Sequence, residues 1–217
     1  MLTNIHPGKL IVIEGLDGSG TTTQADLLNK WLLYEGFNNV WKTQEPTTGP
    51  IGALIRTALS GRLLLDAKVL AALFAADRLD HLYKKDGVID KLKSNSMVIM
   101  DRYYMSSWAY QTITMDSQEK QWLKSLHASC IMPDITIYLD VPVDICMERI
   151  KNHRRQQVEI FEEKNLLIKI EKQYQNAIEV FRSEGENITI LDGTLPPQEI
   201  HHDIKILTQE TLTKNRS

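Results

Sequence analysis

Lys9-Leu10-Ile11-Val12-Ile13-Glu14-Gly15-Leu16-Asp17-Gly18-Ser19-Gly20-Thr21-Thr22-Thr23-Gln24 reads as three pieces in a row. Leu10 to Ile13 is a short apolar run of the kind a buried strand needs. Gly15 to Gly20 is rich in glycine, and a helix-forming run begins at Thr21. Strand, glycine turn and helix follow one another as in the phosphate-binding loop G-x-x-x-x-G-K-[ST], with one departure: Thr21 stands where the lysine belongs. Glycines let the backbone wrap a phosphate closely, and the amides of a helix start add donors and partial positive charge. Gly15, Leu16, Asp17, Gly18, Ser19, Gly20, Thr21, Thr22 and Thr23 are therefore candidate phosphate-binding residues. Thr22 occupies the position whose hydroxyl meets magnesium.

The rest of the chain is compatible with that centre. Its 217 residues suffice for one α/β domain with a sizeable core. A formal net charge of −3 argues against a nucleic-acid wrapper or a basic membrane binder, while leaving room for a local basic pocket. Cys130 and Cys146 lack metal-type spacing and read as reduced thiols. Met1 to Lys9 lacks the apolar core of a signal peptide, and no apolar run is long enough to span a bilayer. A cytoplasmic protein is the expectation.

After the loop, Leu27, Leu28, Trp31 and Leu32 fall at helical spacing, and Gly36 ends that helix. Asn39 to Thr43 is a second, weaker strand, and Glu45-Pro46 opens a turn at its end, a position suited to a binding loop. Ile51 to Leu59 is a short amphipathic helix. Asp66 then caps a longer helix to about Lys84. Phe74 and Arg78 share one face of it, as do Asp77 and His81. Taken alone, Phe74 and His81 read as structural and Arg78 as a solvated charge. Ser96 to Met100 is apolar on both faces, like a central parallel strand, and ends in Asp101-Arg102-Tyr103. Ligands of open α/β sheets sit at such strand ends, where an acid can hold magnesium and an arginine can grip phosphate. A helix from Tyr104 to Thr112 carries Ser106, Ser107, Tyr110 and Gln111, polar enough for a pocket wall.

Helices follow at Ser117 to Ser129 and Ile145 to Ile150, on either side of a strand from Ile135 to Leu139. The segment around Arg149, Arg154 and Arg155 is densely basic, which suits either a solvated face or a mobile lid supplying arginines at about 150–162. A long helix to Phe181 places Ile168, Ile170, Tyr174, Ala177 and Phe181 as apolar contacts. Asn187 to Leu191 is the last strand, and Pro196-Pro197 begins the last helix. The expected fold is a three-layer α/β/α domain with a five-stranded parallel sheet, spanning residues 1–217.

Taken together and in order, Glu14-Gly-Leu-Asp-Gly-Ser-Gly20, Glu45-Pro46, Phe74-Ala-Ala-Asp77-Arg78, Asp101-Arg102-Tyr103, Ser106-Ser107 and Ala109-Tyr110-Gln111 are specific. The chain resembles the thymidylate kinases, P-loop nucleoside monophosphate kinases, from about Lys9 to Leu207. The resemblance implies ATP and dTMP as substrates, Mg2+ with ATP, and a homodimer. It implies that Asp17 lies near the sugar 3′-hydroxyl and the metal, that Phe74 stacks on thymine, and that Arg78 reaches the base's carbonyl edge. Glu45 joins the substrate site. Arg102 would grip the dTMP phosphate with Asp101 beside the metal. Ser107 and Gln111 would hydrogen-bond the base, and Tyr110 would press where a ribose 2′-hydroxyl would lie. Arg149, Arg154 and Arg155 resemble the lid that closes over ATP.

An acceptor that is already an anion needs no strong base, so alignment and charge neutralisation carry the reaction. Two positions depart from the pattern: Gln44 precedes Glu45-Pro46 where many relatives carry arginine, and Thr21 replaces the loop lysine. Losing one transition-state donor costs on the order of a hundred- to a thousand-fold in rate. Either another cation takes the role or the enzyme is slow. The alternative reading is a nucleotide-binding regulator weakened in catalysis.

Overall fold

The computed structural model describes residues 1–153 and 164–213. The chain begins with strand β1 (Lys9–Gly15), helix α1 (Thr21–Tyr34), strand β2 (Val40–Gln44) and helices α2 (Pro50–Leu59), α3 (Ala67–Tyr83) and α4 (Val88–Lys93). Strand β3 (Met97–Asp101), helix α5 (Tyr104–Gln111), a 3-10 turn at Thr112–Thr114 and helix α6 (Ser117–Leu126) come next. The described chain closes with β4 (Ile135–Asp140), α7 (Val143–His153), α8 (Lys164–Ser183), β5 (Ile188–Asp192) and α9 (Pro197–Thr213).

The five strands make one sheet in the order β2-β3-β1-β4-β5, with every pair parallel. Alternation along β1 divides the core. Leu10 and Val12 join the cluster built with α4, α5 and α8, while Ile11 and Ile13 join the one built with α1 and α9. All four are buried, and each contributes about 1.5–3 kcal/mol of hydrophobic stabilisation. This is the expected three-layer α/β/α arrangement. The register pairs Ile13 with Asp101 and Asp101 with Gln44, so the turns after β1, β2 and β3 open at one end of the sheet.

Differences from the sequence reading are local. Helix α4 has too few residues to display a period, and Gly87 rather than a side chain begins it. On α8 it is Leu167 that is buried, while Ile168 is 45% exposed. Asp66 caps α3 as expected, its carboxylate accepting from the Lys68 amide at 2.8 Å. Leu82, at the end of that helix, is buried in the protein's own core and is not available to a partner. No helix among the described residues is long and apolar enough to cross a membrane.

Candidate active site

The glycine loop between β1 and α1 has the backbone a phosphate cradle requires. Gly18 has φ +83°, and a Cβ there would lie 2.6 Å from the Cys146 carbonyl oxygen. Gly20 has φ +99° and begins α1, whose start is capped by no side chain and carries no acid in its first turn. The first-turn amides of α1 therefore face the cleft with the positive end of the helix dipole. Thr21 is buried at the cleft wall. A cavity of about 540 Å³ is lined by Asp17 to Gln24 together with Arg102, Arg149, Ile150, Leu195, Pro197 and Ile200. Arg149 spans it, donating to the carbonyls of Ser19 (3.3 Å) and Gly193 (3.1 Å).

A second cavity, about 280 Å³, lies beyond the ends of β2 and β3. Phe74 and Arg78 from α3, Ser107, Tyr110 and Gln111 from α5, and Glu45 with Pro46 from the turn after β2 all line it. The two cavities share Asp17, Thr22 and Arg102. The side-chain amide of Gln111 is buried with neither its nitrogen nor its oxygen hydrogen-bonded to a described residue.

Arg78 is not the solvated charge its helix position alone suggests. It is fully buried and donates from Nε to Glu45 Oε2 (2.6 Å), from Nη1 to His127 Nδ1 (3.1 Å) and from Nη2 to Ser107 Oγ (3.0 Å). A guanidinium has five N–H donors, so two have no hydrogen-bond partner among the described residues. Burial works against the charge of Arg78, but Glu45 opposite holds its pKa above the ordinary value. Burial and Arg78 together push the His127 pKa well down, which leaves a neutral ring able to accept. Glu45 also meets His81 Nδ1 at 3.3 Å, and Thr43 meets the other ring nitrogen at 2.7 Å. Glu45 thus acts on the cavity largely through Arg78.

Arg102 stands where the cavities meet. Its φ of +67° is left-handed, which a side chain adopts only when the surroundings enforce it. Its amide donates to the Ile13 carbonyl (2.9 Å), Nη2 donates to Asp17 Oδ1 (2.6 Å), and Nη1 donates to the Gly15 carbonyl (2.8 Å). The guanidinium lies 5.5 Å from the Tyr110 ring centroid. Burial opposes its charge, yet Tyr110, Asp17, Tyr174 and Asp101 hold its pKa well above the usual value. Beside it, Thr22 Oγ1 donates to Asp101 Oδ2 at 2.5 Å, while Asp101 Oδ1 is buried without a hydrogen-bond partner among the described residues.

The structure brings together around the two cavities Asp17 to Thr23 of the loop, Glu45, Phe74, Arg78, Asp101, Arg102, Ser107, Tyr110, Gln111 and Arg149, while Gly15 lines neither cavity and Leu16 is buried in the core. Arg154 and Arg155 lie outside the described residues, as does most of the 150–162 segment. His127 from the end of α6 and Tyr174 from α8 join the site without any motif in the sequence. Both come from elements far along the chain: Tyr174 reads as an apolar core contact, and no local pattern singles out His127.

The sequence model of the family described as thymidylate kinase matches residues 13–204. A probable thymidylate kinase of Methanococcus aeolicus is 40% identical over 198 residues, covering 90% of this chain and 93% of its own. A probable thymidylate kinase of Thermococcus onnurineus is 36% identical over 214 residues, covering 94% and 98%. A putative thymidylate kinase of Treponema pallidum is 36% identical over 167 residues, 77% of each chain.

Proposed function

The chain belongs to the thymidylate kinase family, and we propose on that premise that it transfers the γ-phosphoryl group of ATP to dTMP across the junction of its two cavities. The observation that carries this reading is the sharing of Asp17, Thr22 and Arg102 between a phosphate-loop cavity and a base-sized cavity. ATP occupies the first, with its phosphates on the amides from Gly15 to Thr23 and Arg149 against the loop at Ser19. dTMP occupies the second. Phe74 stacks on thymine, Arg78 and Gln111 hydrogen-bond its polar edge, and Ser107 supports Arg78. Tyr110 faces the sugar and disfavours a 2′-hydroxyl. Arg102 exchanges part of its bonding to Asp17 for the dTMP phosphate, which frees Asp17 for the sugar 3′-hydroxyl.

Mg2+ fits the corner made by Thr22 and Asp101. Its donors are hard oxygens, and Asp101 Oδ1, without a hydrogen-bond partner among the described residues, is a ligand position in waiting. When bound there, the ion would supply charge neutralisation to the phosphates. The protein's own part is positioning: loop amides, Arg102 and the lid arginines align the two phosphates and compensate their charge. Thr21 contributes no charge, so we assign the lysine's task to Arg154 or Arg155.

A homodimer is also part of the proposal. Leu54 on α2 and Val69 on α3, with Leu64 between these helices, are exposed apolar residues in one region of the chain. Light scattering that finds only a 24.9 kDa species at micromolar concentration would contradict it. Nucleotides as substrates favour a cytoplasmic location and require neither nucleic acid nor membrane as partner.

The test of the substrate reading is a coupled assay with ATP, magnesium and a panel of nucleoside monophosphates. dTMP is expected to be the best acceptor, dUMP weaker and ribonucleotides poor. UMP or CMP outperforming dTMP would remove the reading.

A further inference from the structure

We propose that Glu14 is a positioning residue for Arg102, a carboxylate from β1 that fixes the start of α5 and the side chains which aim the guanidinium. Glu14 is fully buried. Its Oε1 accepts from the Tyr103 amide at 2.8 Å and the Ser106 amide at 3.1 Å. These are the N-cap and third helical positions of α5, a helix that no side chain of its own caps. A residue some ninety positions upstream therefore performs the capping that Ser, Thr or Asp usually performs locally, and brings a carboxyl group to the helix start.

The other oxygen reaches Arg102 through intermediaries. Glu14 Oε2 accepts from Ser106 Oγ (2.6 Å) and Tyr174 OH (3.1 Å). Those hydroxyls lie 2.7 Å apart, and both stand within reach of Arg102 Nη1, at 3.3 and 3.2 Å; one Nη1 hydrogen goes to the Gly15 carbonyl, and the other is shared among the hydroxyls. Two of the side-chain acceptors that orient Nη1 thus hang on one carboxylate oxygen. The third, Tyr110 OH, is at 3.4 Å and packs edge-on against Tyr174. The left-handed turn at Arg102 lies between this cap and β3, and a conformation of that kind persists only where its neighbours enforce it.

A neutral amide would cost less to bury but would turn its own N–H donors toward groups that now donate to Glu14. Burial pushes the Glu14 carboxyl up to about 7, against the pull of Ser106, Arg102 and the Tyr103 amide. Arg102 from the turn, Tyr174 from α8 and Tyr138 from β4 are the other ionisable groups that face it. A carboxyl buried at such a cost that accepts four hydrogen bonds points to a task beyond packing, and the groups it touches are those that aim Arg102.

The inference rests on the reading that Arg102 grips the acceptor phosphate. The experiment places Glu14→Gln in the wild-type and Arg102→Ala backgrounds and measures kcat, both KM values and thermal unfolding. Glu14→Gln alone is expected to raise the dTMP KM about tenfold, the scale of one charge-assisted hydrogen bond, with the ATP KM within about twofold. In the Arg102→Ala background it is expected to add nothing, because the group it positions is gone. Thermal unfolding establishes that each variant is folded under the assay conditions.

An unchanged dTMP KM in a folded Glu14→Gln protein overturns the proposal, and so does an equal loss in both backgrounds. An Arg102→Ala variant with unchanged dTMP KM overturns the phosphate-grip reading itself, which separates the two failures. If Glu14→Gln does not fold, Tyr174→Phe removes one of the two intermediaries. It should raise the dTMP KM in the wild-type background only, and no rise there overturns the proposal.

Discussion

Glu45→Gln tests the buried pair beneath the base cavity. The side chains of Arg78 and Glu45 are 1% and 3% exposed and meet at 2.6 Å. Glutamine keeps the shape and one acceptor oxygen but removes the charge, so Arg78 is left buried with only neutral acceptors, His127 and Ser107. Breaking a buried pair by removing one partner costs about 3–5 kcal/mol. For a chain of 217 residues, about 1 kcal/mol moves the melting temperature by roughly 2–4 °C, so the expected fall is about 6–20 °C. Arg78 should also lose its fixed direction, and the dTMP KM should rise by about tenfold or more, with the ATP KM little changed. Differential scanning calorimetry and steady-state kinetics on the same preparation provide both numbers. Lys68→Ala, which breaks an exposed pair with Glu119, is the control and should leave the melting temperature unmoved. A Glu45→Gln protein that melts within about 2 °C of the wild type would refute the reasoning.

Asp101→Asn should lower kcat and raise the magnesium concentration needed for half-maximal rate, because the Oδ1 position loses its charge; unchanged magnesium dependence counts against the site. Replacing Arg154 and Arg155 together should lower kcat about a hundredfold at saturating ATP, and Thr21→Lys in that background should recover much of the loss. A double variant with near wild-type kcat would move the lysine's task to Arg149 or the loop amides. Glu14, with its carboxyl raised from 4.5 to about 7, binds a proton more readily folded than unfolded across that window. Stability from this group is therefore full below pH 4.5 and declines as pH rises through 7, by roughly 3 kcal/mol in all. Unfolding curves for the wild type and Glu14→Gln at pH 5 and 8 should diverge in that sense; parallel curves refute it.

Features written in consecutive residues were legible without the fold. The apolar run of β1, the glycines of the loop and the period of α8 are local patterns, and local sterics and burial enforce them wherever the chain goes. They predicted the parallel three-layer sheet and the phosphate loop, and the family resemblance carried by the short motifs implied Glu45, Phe74, Arg78, Ser107, Tyr110 and Gln111 for the second cavity, though not Arg56 or Leu59, which also line it. Other properties belong to no single segment. Arg78 reads as a surface charge on α3 and becomes a buried cation because the turn after β2 brings Glu45 against it and the end of α6 brings His127. Tyr174 carries the helical period of a core residue, yet its hydroxyl reaches Arg102 across the sheet end. Glu14 is one letter of a motif until the parallel register of β1 and β3 sets it under the start of α5. Burial, pKa and hydrogen-bond partners depend on what packs from elsewhere in the chain, so tertiary structure alone decides them.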